Sequence, residues 1–140
     1  MYLARLNEQE RKNFLNLAYY TANVDEDFSI AEENLIDDYR KEMELFDYEP
    51  EKIEFEEGIE FFADKAEEKK NIIFIETFAL VMADANYEKK EKDLINKMQQ
   101  KFGFSDEKTD QLCQWVKDVI DIYAREIGRA SCRERVYTKV

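Results

Sequence analysis

The stretch LVMADANYEKKEKDLI, residues 80–95, joins the end of an apolar segment to a charged, amphipathic one through an acidic turn. Upstream, residues 71–83 carry Ile72, Ile73, Phe74, Ile75, Phe78, Leu80, Val81 and Met82. A helix that is apolar nearly all round is buried at the centre of its fold. Downstream, residues 88–101 form a helix that, with Phe102 just beyond, places Leu94, Ile95, Met98 and Phe102 on one face. Asp84 falls at the carbonyl end of the buried helix, where partial negative charge already accumulates. A bound cation would resolve that conflict. So would a solvent-exposed turn, in which Asp84 and Asn86 are ordinary residues.

Working outward, the same 3.6-residue period recurs along the chain. Residues 7–22 read as a first helix with Phe14, Leu17 and Ala18 on one face. The polar turn NVDEDF follows. Ser29 and Glu32 then form a capping box, each side chain meeting the other residue's free N–H. The second helix buries Leu35, Ile36, Tyr39 and Met43. A linker around Pro50 leads to a third helix over residues 56–69, with Ile59, Phe62 and Ala66 in line. Gly103 supplies a left-handed stop to the fifth helix. Ser105 caps a sixth, which shows Leu112, Trp115, Val116, Val119, Ile120 and Tyr123 at helical spacing. Tyr19, Tyr20 and Trp115 read as core, and Cys113 as a small core residue. No segment alternates as a strand does, and only 3 Gly and 1 Pro interrupt the chain. The expected fold is an all-α bundle of about six helices.

Two stretches are alike. LAYYTANVDEDFSIAEENLI (residues 17–36) and FALVMADANYEKKEKDLI (residues 78–95) each run from an apolar helix end, through a polar turn and an aromatic, into a helix with Glu before Leu-Ile. Aligned on these features, Asn23 matches Asp84, Glu32 matches Glu91, and Leu35–Ile36 match Leu94–Ile95. The expectation is two pseudo-symmetric helical hairpins with their first helices packed together at the centre.

ALVMADANYEKKEKDLINKMQQKFGFS resembles the A-x-A-D-G-x-(aromatic or Val)-x-x-x-E-x-x-L signature of the tellurite-resistance TerB-like family. Residues 15–44 fit that family's first repeat more loosely. Ala85 stands where the family has Gly, and Asn23 followed by Val24 where its first repeat has Asp. The resemblance implies an all-helical domain and a role in tellurite and chemical-stress resistance. It further implies metal binding and action with protein partners in complexes near the inner membrane.

The residues themselves allow one candidate site. A tight turn could bring Asp84 and Glu91 together with free carbonyls, an all-oxygen environment suited to Ca²⁺ or Mg²⁺. Asn86 and Glu88 could add ligands, and the corresponding cluster in the first repeat is Asn23, Asp25, Asp27 and Glu32. The turn is not an EF-hand: counting from Asp84, Lys89 holds the place of the invariant Gly, and Ile95 that of the bidentate Glu. Capping already accounts for Glu32, and the helix dipole for Glu91. The alternative is therefore a metal-independent interaction domain that uses acidic helix faces, such as EFEEGIEFFADKAEEKK, against a basic protein.

Charge and composition exclude other classes. A formal net charge of −12 argues against nucleic acid and against docking on an anionic membrane. With 0 His, triads and imidazole bases are absent, and no enzymatic activity is expected. The run from residue 72 to 85 is too short to span a bilayer and contains Glu76, and a cytoplasmic setting is expected. Finally, IGRASCRERVYTKV, residues 127–140, holds four of the 21 basic residues and one of the 33 acidic ones. Its opening resembles a conceptual translation of a short-read sequencing adapter. That reading confines the TerB-like domain to residues 1–126 and makes the tail an artefact. A genuine basic tail facing an acidic partner is the other reading.

Overall fold

A computed structural model describes the main chain of residues 2–23, 30–82 and 87–134, and the side chains of residues 2–21, 33–82 and 92–122. Among these residues there are six α-helices and no strand: α1 (Glu8–Asn23), α2 (Ile30–Met43), α3 (Phe55–Ala63), α4 (Glu67–Met82), α5 (Tyr87–Phe102) and α6 (Asp106–Glu134). A single 3₁₀ turn at Leu3–Arg5 precedes them. The all-α expectation holds.

The apolar helix lies where its composition demands. Every side chain from Ile72 to Phe78 is buried, as are Leu80 and Val81. α4 touches α1, α3, α5 and α6. Phe74 packs on Phe78 and Phe104, with ring centroids 6.3 and 5.7 Å away. On the other side, Tyr39 of α2 stands edge-on to Phe14 of α1 and donates its hydroxyl to the Glu76 carbonyl (2.9 Å).

α1 with α2, and α4 with α5, form two antiparallel hairpins. In each, a cation near the start of the first helix donates to the last carbonyl of the second: Arg11 to Met43 (3.1 Å) and Lys70 to Phe102 (3.1 Å). α1 and α4 are both 16 residues long and pack on each other. Near their starts Glu10 pairs with Lys69 (2.8 Å), and further along Tyr39 bridges Phe14 and Glu76. The two helices thus run in the same general direction.

The outer bounds of the two hairpins are displaced by one constant, the 59 residues that separate Glu10 from Lys69. It carries Glu8 to Glu67 and Met43 to Phe102. The helix stops correspond as well. Glu44 has φ 59° and Gly103 has φ 72°. The next residue, Leu45 or Phe104, is buried and sends its N–H back to Arg40 (3.0 Å) or Gln99 (3.1 Å). Both are Schellman closures.

Several boundaries and burials differ from expectation. The third helix ends at Ala63, not near residue 69, and α4 begins at Glu67. Lys65 N–H closes on the Phe62 carbonyl, while the Ala66 carbonyl opens α4 by accepting from Lys69 and Lys70. Ala66 is therefore exposed in a turn instead of lying in line with Phe62. Trp115 and Tyr19 are 38% and 39% exposed, not core. Trp115 instead meets Tyr2, with centroids 6.1 Å apart, because the N-terminal segment folds back along α4. The α6 main chain stays helical to Glu134, through the break in periodicity at Ile127. No proline interrupts it there, and Gly128 costs only about 1 kcal/mol in a helix.

Candidate functional site

α1 and α4, starting side by side and running the same way, carry their last described residues, Asn23 and Met82, toward one end of the bundle. The two acidic turns leave from that end. Asp25, Asp27, Asp84 and Asn86 lie outside the described residues. So do the side chains of Asn23, Glu32, Glu88 and Glu91, and the Ser29 capping box. Their main chain places Asn23 last in α1, Glu32 in the first turn of α2, and Glu88 and Glu91 in the opening turns of α5. The helix starts carry partial positive charge toward this end. Among the described residues, no group of three or more His, Cys, Asp or Glu could hold a metal ion.

Below this end the helices are closed by apolar packing. Tyr20 of α1 tilts against Phe55 of α3, with centroids 6.3 Å apart. Leu17 approaches so close to Gly58 that a Cβ there would lie 2.8 Å from its Cδ1. Thr21 is buried and returns its hydroxyl to the Leu17 carbonyl (2.9 Å).

The opposite end holds carboxylates that the sequence reading passed over. Asn7 and Glu10 form a reciprocal capping box: Asn7 N–H donates to Glu10 Oε1 and Glu10 N–H to Asn7 Oδ1, both at 2.8 Å. The Asn-x-x-Glu spacing was visible in NEQE but lies inside a long polar run. Glu10 is 4% exposed and also accepts from Lys69 Nζ (2.8 Å). Burial pushes its carboxyl up, but the Lys69 ammonium and the Asn7 N–H outweigh that and hold it below the usual carboxylate value.

Glu76, the charge within the apolar helix, is 2% exposed and accepts the Tyr2 N–H (2.9 Å). Glu42 accepts the next one, from Leu3 (2.9 Å), so two carboxylates seat the N-terminal segment. Burial, then the charges of Glu76, Glu42 and Asp38, raises the Tyr39 phenol well above its ordinary value. That hydroxyl stays protonated and serves as a structural donor. Cys113 packs half-buried against the core, as expected. The carboxylates and the Tyr39 hydroxyl join separate elements together.

Comparison with protein families, curated proteins and solved structures returned no match.

Proposed function

We propose that this chain is a non-enzymatic binding or scaffold module of TerB-like design, which holds a divalent cation such as Ca²⁺ or Mg²⁺ at the end of the bundle served by the two acidic turns. The supporting observation is the shared direction of α1 and α4, whose last described residues, Asn23 and Met82, both lead into an acidic segment. The constant displacement between hairpins adds to it. In that register Asp25 corresponds to Asp84, Asp27 to Asn86 and Glu32 to Glu91, so both turns carry an acidic residue at the same step. Hard cations take oxygen ligands of this kind. A role in bacterial tellurite or chemical-stress response, beside protein partners in a membrane-associated complex, rests on the family resemblance. No helix among the described residues is long and apolar enough to cross a membrane.

Thermal melts in millimolar Ca²⁺ or Mg²⁺ test the cation. A ligand at a hundred times its Kd adds about 2.7 kcal/mol of stability and so raises Tm. The rise should vanish in Asp84→Ala. No rise, or an Asp84→Ala protein that responds as the parent does, refutes the site. The metal-independent alternative uses acidic helix faces, such as Glu56, Glu57 and Glu60 on α3, against a basic protein.

A further inference from the structure

Phe46 is 64% exposed, the most exposed of the large apolar side chains among the described residues. A lone apolar side chain on a surface needs no explanation by itself. The loop that carries this one is different, because hydrogen bonds anchor it on both sides of the ring. Leu45, immediately before it, is buried. The Arg40 guanidinium donates to the carbonyls of both Leu45 (3.1 Å) and Tyr48 (2.7 Å). Asn16, itself 5% exposed, accepts from the Tyr48 hydroxyl (2.9 Å) and the Glu51 N–H (2.7 Å). Every one of these anchors faces inward, and the phenyl ring between them is left in water.

The second hairpin shows that the fold does not require this ring. At the corresponding step it carries Ser105, whose hydroxyl accepts the Lys108 N–H (3.0 Å) and caps α6. Arg40 and Lys41 precede the loop, but the exposed charges that flank Phe46 within it are mainly acidic. Glu44, Asp47, Glu49 and Glu51 are exposed, and Lys52 is the one base between residues 44 and 57. A second copy of this chain, at net −12, is a poor electrostatic match for such a surface.

We propose that the Phe46 loop is a docking knob for another protein: the ring enters an apolar patch ringed by Lys and Arg, and the surrounding carboxylates meet that rim. A pre-organised aromatic anchor of this kind loses little entropy on binding. The surface lies at the end of α2, away from the acidic turns, and does not depend on a cation.

The probe is a helical peptide built only of Leu and Lys, titrated into the isotope-labelled full chain and followed by NMR. A Leu/Glu peptide serves as the counterpart. Amide shifts should concentrate at residues 44–51, weaken with added salt, and be absent with Leu/Glu. Phe46→Ala should lower the affinity about tenfold or more while leaving Tm unchanged, since the lost ring is in solvent. Asp84→Ala should leave the titration as it is, which separates this surface from the proposed cation site. Absence of binding, shifts centred elsewhere, or equal affinity in Phe46→Ala overturns the proposal. A dimeric parent made monomeric by Phe46→Ala also overturns it, in favour of a second copy.

Discussion

The hairpin of α1 and α2 and the hairpin of α4 and α5 close in the same way with different side chains. Both end their second helix in a left-handed residue followed by a buried apolar one, yet one uses Glu44 and Leu45, the other Gly103 and Phe104. Arg11 and Lys70 do the same work on the final carbonyl. Where α1 buries Leu17, α4 buries Glu76 and uses it to seat the N-terminal segment. At Glu10 and Lys69, corresponding positions meet each other and carry opposite charges. Backbone closure is thus tolerant of side-chain identity. The divergent positions mark what each hairpin does beyond folding.

The largest expected effect breaks the comparison in the core. Leu15 and Phe74 are corresponding, fully buried positions. Phe74→Ala should cost about 3–5 kcal/mol and Leu15→Ala about 2–5 kcal/mol, from lost transfer energy and residual cavity. Phe74 should be the costlier of the two, because α4 touches four helices and α1 touches α2, α3 and α4. Urea denaturation at constant slope measures both. Equal losses would mean that the two hairpins share the centre evenly.

That centre was legible in the sequence because a helix with apolar residues on every side has nowhere else to go. Leu94, Met98 and Phe102, the Gly103 stop and the Ser105 cap were legible for similar local reasons. The α3–α4 break was not. Ala66 and its charged neighbours suit a helix interior, and only the competition for the Phe62 and Ala66 carbonyls divides them. Glu44 was also hidden, since glutamate carries no signal for a left-handed stop. Trp115 was misplaced because its partner, Tyr2, is remote in sequence. The helix order behind the two hairpins was visible. Matching polar residues after alanine aligned Asn23 with Asp84, and that alignment lies outside the described residues. The candidate turn residues could be placed only as far as the helices that frame them.

A smaller effect is expected at Glu10 and Lys69. Glu10→Gln should cost about 1.5–3 kcal/mol at neutral pH, the range for hydrogen bonds to charged groups. The folded-state pKa of Glu10 is depressed. Its contribution is therefore present above the ordinary carboxylate value and is lost as pH falls through the lower, folded value. Glu10→Gln should flatten that acid limb of the stability curve. Lys69→Glu sets like charges at corresponding positions and should be worse than Lys69→Gln. Adding Glu10→Lys to Lys69→Glu should recover only part of the loss, because the Asn7 capping box also uses Glu10. Full recovery would mean that the cap contributes nothing.

The smallest expected effect tests whether the two helix stops are alike in energy as well as in shape. Both residues sit in the left-handed region, which costs a residue with a Cβ about 1–2 kcal/mol. A Cβ at Gly103 would meet nothing within 4 Å, so Gly103→Ala isolates the backbone cost from any clash and should destabilise by about 1 kcal/mol. Glu44→Gly runs the other way: relief of strain is partly offset by the greater freedom of glycine in the unfolded chain, leaving a gain of about 0.5–1 kcal/mol. Glu44 is exposed, so no packing is lost. If Glu44→Gly is instead neutral while also weakening the Leu/Lys peptide, then the strained glutamate is retained for its charge beside Phe46, and the first hairpin gives up stability there that the second does not.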